Sequence, residues 1–408
     1  MSHTALLPRM PSAHPEKDCS DTLVKKRIVL HFPGFEPLDA NLHHARYARS
    51  AAQSGKTWGV ATNVGPVQQA GSAAYFDVSC QNAGHLTESR IYCLDHSSLV
   101  ATLNSKPLLS RILSGYAAAW RVMRESGLTG YFRHAWRFGL FFIFPFLLLM
   151  LVALSGLAVA GLPLLLDIET WNYAWSLPLA ITIQLFVYAP ALRRLHTLHL
   201  FADWELAVAM ARLDRPDVNR WIETCVADIK TALRDEADEY VISSHSMGST
   251  AAAHTIGRLL AENPGVLDGK RVTFVTLGGA ILQCSLLRSA TVLRAAIGRI
   301  ARTPEVFWLE IQCLTDSINF YRSRVVSLAG HPEAPQAHIA FMRVKRMVSP
   351  ERYKRIKLNF LRVHRQYVLG SDSRSNFDFT LMTAGPIPAA EFANFVPRDF
   401  TRACKPAA

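Results

Sequence analysis

Two long uncharged apolar runs lie close together in the middle of the chain, at residues 138–166 and 170–192. A helix needs about 20 apolar residues to cross a hydrocarbon core about 30 Å thick, and both runs reach that length. The first is the more apolar, with Phe141, Phe142, Ile143 and Phe144 in succession. The second contains Pro178 and Pro190. Between them stand only Asp167, Ile168 and Glu169, followed by Trp171, Tyr173 and Trp175, aromatics of the kind that collect at a membrane–water boundary. Arg121, Arg124, Arg133 and Arg137 precede the first run, and Arg193 and Arg194 follow the second. By the positive-inside rule the pattern predicts a helical hairpin in the inner (cytoplasmic) membrane, its short acidic tip outside and both chain termini in the cytoplasm. Pro145 and Pro163 interrupt the first run, which keeps a re-entrant hairpin open.

Elsewhere short apolar runs alternate with helical patterns. Arg27–His31, Glu239–Ser243, Arg271–Leu277, Glu305–Leu314 and His338–Val348 read as strands, with weaker candidates at Thr57–Thr62 and Tyr75–Ser79. Ser110–Arg124, Phe201–Asp235 (broken at Pro216), Ser249–Leu260 and Ala280–Arg299 read as helices. A further helix starts at Ser349-Pro350-Glu351 and runs to about Val368. This alternation predicts an α/β fold with a mostly parallel sheet covered by helices on both faces.

Composition narrows the class. Half of the 408 residues are hydrophobic, which excludes a disordered chain. The net charge of +12 favours anionic partners such as lipid headgroups. The stretch from Arg343 to Arg365 is strongly basic, with Glu351 its one acid, and suits anionic lipid. No recognised module for nucleic acid accompanies that charge, so nucleic acid is not an expected partner. Seven scattered cysteines without C-x-x-C spacing point to reduced thiols rather than a disulfide framework or a thiolate zinc site. The polar N-terminus lacks the apolar stretch of a secretory signal.

The sharpest chemical signal is Ser244-His245-Ser246-Met247-Gly248. It joins the apolar strand Tyr240-Val241-Ile242 to a helix of small residues that includes Ala252. A nucleophile on such a turn is held above the sheet edge, and the N–H that follows it lies at a helix N-terminus, where negative charge is stabilised. The segment resembles the nucleophile elbow of the α/β-hydrolase superfamily, G-x-S-x-G, with Ser244 in place of the first glycine. The resemblance implies a membrane-anchored serine esterase or lipase-like enzyme of bacterial type. Ser246 is then the nucleophile and the Met247 N–H one oxyanion donor. In His31-Phe32-Pro33-Gly34-Phe35, after an early strand, the Phe35 N–H is the expected second donor. Asp316, just past the strand Val306–Leu314, is the expected acid, with Glu310 a poorer candidate inside the strand. His364 is the expected base, with His331 and His338 as alternatives. His364 falls within the helix predicted from Ser349, whereas the superfamily carries its histidine on a loop.

The resemblance divides the chain into a tail at 1–26, the first part of a hydrolase core at 27–115, an inserted cap with the hairpin at 116–200, the second part of the core at 201–386, and a tail at 387–408. The implied activity is cleavage of an ester or thioester through an acyl-enzyme. An acyl-lipid is the expected substrate because of the position beside the bilayer. Membrane lipid is the expected partner, and neither cofactor nor metal is expected. His196 and His199, near Asp203, are a possible metal pair but also suit a headgroup boundary. His43-His44 reads as a loop pair with no assigned partner. Two other readings use the same residues: a non-catalytic membrane scaffold that keeps the elbow for packing, and an acyltransferase in which another alcohol replaces water.

Overall fold

The computed structural model describes residues 23–82, 84–398 and 400. Nine strands form one sheet: β1 Lys26–Phe32, β2 Ala61–Val64, β3 Gln68–Ala70, β4 Ala73–Asn82, β5 His85–Cys93, β6 Glu239–His245, β7 Val272–Leu277, β8 Val306–Cys313 and β9 His338–Met342. Their order is β2-β4-β5-β1-β6-β7-β8-β9, with β3 beside β4. From β5 to β9 every neighbouring pair is parallel, whereas β2 and β3 pair with β4, and β4 with β5, in antiparallel fashion. The expected α/β architecture is present, with an antiparallel edge that the sequence reading lacked.

Central strands bury both faces, and their alternation splits the core in two. Ile28, Leu30 and Phe32 of β1 join Tyr240, Ile242 and Phe274 on one side. Val29 joins Val241, Val275 and Leu309 on the other. The first side is covered by helices Leu108–Arg124, Thr197–Arg212, Pro216–Ala232, Gly248–Glu262 and Thr291–Arg302. The second is covered by helix Ala40–Trp58 and the C-terminal part of the chain. Each fully buried aromatic or branched side chain contributes about 1.5–3 kcal/mol.

Several boundaries differ from expectation. Thr57 and Trp58 end the helix Ala40–Trp58, and the strand starts only at Ala61. That helix, capped by Asp39, also contains His43 and His44, which are therefore not in a loop. The helix expected at Ala280–Arg299 is two, Ile281–Ser285 and Thr291–Arg302. The break is held by the Arg294 guanidinium, which donates to the carbonyls of Ser285, Leu287 and Arg288. The last strand stops at Met342. The helix that starts on the Ser349 cap ends at Ile356 and resumes at Phe360–His364. Residues 387–400, assigned to a tail, pack Ile387, Phe392, Phe395 and Phe400 into the second core. Residues 1–22 and 401–408 of the two expected tails lie outside the described residues.

Arg27 fastens that C-terminal segment to the sheet. It is wholly buried; its Nε donates to Glu239 Oε2 at 2.7 Å, and its two terminal nitrogens donate to the carbonyls of Gly385 and Ile387, each at 2.8 Å. The other Glu239 oxygen accepts from the Ala389 N–H at 2.8 Å. All polar partners of this buried pair are thus supplied.

Two helices are long and apolar enough to cross a membrane, Gly127–Ala160 and Thr170–Arg194. In their most apolar windows only 28% and 11% of the residues are buried within the protein, so neither is a core helix. The first helix has two halves. Up to Phe146 it is packed on the body: the Phe142 ring lies 4.5 Å from that of Trp204, Phe138 4.4 Å from Phe320, and Phe146 4.6 Å from Phe201. From Leu147 on, Val152 is its one buried residue; Leu149 still packs against the first core, and beyond it the helix lies beside its partner. Two polar contacts join the helices: Gln184 Nε2 donates to the Val152 carbonyl at 2.8 Å, and Ser176 Oγ to that of Ala160 at 3.0 Å. Gly156 makes room for Gln184, whose amide nitrogen would lie 2.2 Å from an added Cβ. A π-turn at Gln184–Tyr188 precedes Pro190, which has no N–H to continue the regular ladder.

Candidate active site

The carboxyl ends of β1, β6, β8 and β9 bring the candidate residues to one edge of the sheet, where the crevices of open α/β sheets bind ligands. Ser246 follows β6 with φ of +52°, a left-handed conformation rare for a residue with a side chain. The strain is held by the surroundings. Its N–H donates to the Leu277 carbonyl at 3.1 Å, and its own carbonyl accepts from Ser249 at 3.0 Å and Ala280 at 3.1 Å. Gly248 is required here, because a Cβ would fall 2.3 Å from the carbonyl oxygens of both Phe32 and Pro33. Ser244 fills the position of the missing first glycine without conflict; its buried hydroxyl donates to the Val275 carbonyl at 2.9 Å.

Asp316 follows β8 and is buried. One oxygen accepts from the Ile318 N–H at 2.9 Å, and the other accepts from His364 Nδ1 at 2.8 Å. An ionised carboxylate only accepts, so it holds the histidine in the tautomer with its proton on Nδ1. His364 Nε2 is left as an acceptor, buried and without a hydrogen-bond partner. His364 ends a short helix, as the sequence pattern had implied, and not a loop. His364 and Ser246 line one cavity of about 390 Å³, together with Gly34 and Phe35. Among the described residues neither the Phe35 nor the Met247 N–H donates a hydrogen bond.

The alternatives lie elsewhere. Glu310 is buried inside β8, where it accepts from Gln312 and burial pushes its carboxyl up to about 7. His331 Nε2 is bonded to the Arg294 carbonyl, and His338 begins the last strand. His31 does not line the cavity; its ring sits 3.2 Å from Ser243 Oγ. Among the described residues no group of three or more histidines, cysteines or carboxylates is arranged for a metal ion. His199 instead donates from Nε2 to the Phe35 carbonyl at 3.2 Å, steadying the loop that carries the second N–H.

Three further groups line the cavity: His245, Glu36 and Asp203, none of them assigned a catalytic role from the sequence. His245 donates from Nε2 to the His364 carbonyl at 3.2 Å, and its ring lies 4.7 Å from the His364 ring. Burial, with the neighbouring His364, pushes its pKa far down and keeps it neutral. Glu36 lies between Arg46 and Arg365, 2.6 Å from each. Burial raises its pKa, but the two guanidinium groups override this and hold the carboxyl at about 2. Asp203 lines the cavity from helix Thr197–Arg212, 3.4 Å from Gln283 Nε2. Burial raises its pKa to about 6. Folding therefore favours its protonated form, so its stabilising contribution is present at low pH and is lost as pH rises toward 6. The Asp203→Asn variant is expected to melt above wild type at pH 8 and level with it at pH 4. Equal melting points at both pH values would refute this.

Comparisons of the chain with known protein families, curated proteins and solved structures find no match.

Proposed function

We propose that the chain is a membrane-anchored serine hydrolase of α/β-hydrolase type, which cleaves an ester or thioester of an acyl-lipid. The observation that carries this reading is the Asp316–His364 pair on the wall of the cavity that Ser246 lines from a strained strand-to-helix turn. The order of its parts along the chain, nucleophile, acid, then histidine, is that of the superfamily. His364 Nε2 takes the Ser246 proton as Oγ attacks the acyl carbon. Asp316 stabilises the resulting imidazolium. The N–H groups of Met247 and Phe35 receive the oxyanion. His364 returns its proton to the leaving group, and water releases the acyl chain by the same steps. Ser246 and His364 share no hydrogen bond before substrate binds; such contacts commonly tighten in the loaded complex.

A fluorophosphonate reporter tests the reading. The folded wild type is expected to be labelled on the peptide that contains Ser246, and Ser246→Ala to stay blank. Equal labelling of both, or of neither, overturns it in favour of a scaffold. Product analysis with an added acceptor alcohol separates transfer from hydrolysis. The basic flanks further support a cytoplasmic catalytic body with the acidic tip across the bilayer. In intact cells a membrane-impermeant maleimide should then label Glu169→Cys and spare Arg193→Cys; labelling of both from the same side would point to a re-entrant hairpin.

A further inference from the structure

The helix Leu108–Arg124 is inside out for a helix in water. Its buried face is Gly115, Ala118, Ala119 and Val122, with Gly115 set so tightly against the Phe201 ring that an added Cβ would meet it at 2.4 Å. Its outer face carries Leu109, Leu113, Tyr116, Trp120 and Met123, at i, i+4, i+7, i+11 and i+14, between 36% and 67% exposed. A soluble surface helix turns its large apolar side chains inward. A helix lying in a headgroup boundary turns them outward and adds basic residues, here Arg121 and Arg124.

The apolar stripe does not end with this helix. Beyond it, the half-exposed Phe132 lies before a kink at Ala135 and packs its ring on Gly139, and past the kink Trp136 and Leu140, one turn apart, expose further apolar surface along the base of the first hydrophobic helix. A second element flanks the same base. Leu358 is 92% exposed just after the basic residues Lys354, Arg355 and Lys357, and the neighbouring Phe360 ring packs 5.5 Å from Phe141. The cavity with Ser246 is walled by one residue from each element: Arg111, Phe141 and Leu361. Arg111 projects from the inner side of its helix. One of its nitrogens bonds Asn104 at 3.0 Å, and its Nε is buried with no partner.

We propose that helix Leu108–Arg124 and the segment around Leu358 lie in the headgroup boundary of the bilayer that the hairpin crosses, and that the cavity between them takes an anionic acyl-lipid sideways from that bilayer. This rests on the membrane reading of the hairpin and deepens the substrate class of the proposed hydrolase. The occupant is a lipid surface and not a protein, because the exposed apolar side chains lie on consecutive elements that lead to the hydrophobic helix, and basic side chains border them. Arg111 supplies the cation for the lipid's charged part.

The test uses the full chain in nanodiscs that contain phosphatidylglycerol. Cys19 and Cys404 are replaced by serine; the five described cysteines are buried and do not react. A fluorophore is placed at Leu113→Cys, Trp120→Cys and Leu358→Cys, with Leu157→Cys in the hairpin and the exposed Leu86→Cys at the start of β5 as references. Lipids with a nitroxide near the headgroup are expected to quench most of the signal at 113, 120 and 358. Those with a nitroxide near the chain end should quench 157, and neither should affect 86. If 113, 120 and 358 behave like 86 while 157 is quenched, the proposal falls and the hairpin stands. If 157 also escapes, both fall. Arg111→Gln is expected to raise KM at least tenfold more for an anionic lipid ester than for a short neutral ester; equal effects on both overturn the assignment of Arg111.

Discussion

Asp316→Asn is expected to lower turnover of an ester substrate about 10⁴-fold, the loss a wrong histidine tautomer brings to a serine hydrolase. That is about 5.5 kcal/mol of transition-state stabilisation. The argument is specific to this site. One Asp316 oxygen already serves the Ile318 N–H, so the asparagine keeps its carbonyl oxygen there. Its NH₂ must then face His364 Nδ1, where the carboxylate had accepted. A ring nitrogen that receives a hydrogen bond carries no proton, so the proton moves to Nε2. That atom can no longer take the proton of Ser246. The exchange is isosteric, and the melting temperature should stay near wild type. Turnover within tenfold of wild type would mean that this pair does not serve the reaction.

The largest expected loss of stability comes from Arg27→Ala, about 3–5 kcal/mol. The variant strands the buried Glu239 carboxylate and removes the donors to the carbonyls of Gly385 and Ile387. Denaturant titration in detergent measures the change. Arg27→Met combined with Glu239→Gln should lose less than the sum of the two single changes, since no unpaired charge remains. A loss below about 1 kcal/mol for Arg27→Ala would show that water reaches the pair.

The parallel strands β1 and β6 to β9 were legible because their β-branched runs are bounded by turns, and the elbow because a strand meets small residues around Ser246. Asp316 was legible from its place after a strand. Helix Ala40–Trp58 was not, because its buried face is built partly from His43, Ser50, Ser54 and Gly55, which leave no apolar period. Strand His85–Cys93 hid likewise, since it buries Thr87 and Ser89. The run at 138–166 was read as one span, yet its first residues pack on the body. Hydropathy records only transfer out of water, and a protein interior and a lipid tail look the same to it. Asp203 and Glu36 reach the cavity through chain folding alone, whereas His245 comes with its neighbour Ser246.

The edge-to-face packing of Phe138 and Phe142 on Trp204 has one more implication. Trp204 sits on the helix that carries His199 and Asp203, so the anchor and the pocket wall are welded together. A body on a slack tether samples every height above a bilayer. One mounted on a stiff post works at a fixed elevation, and under the proposed lipid-hydrolase reading that elevation would select which bond along a lipid is cut. An inserted glycine–serine spacer after Phe146 should therefore blur positional choice while the pocket itself stays whole.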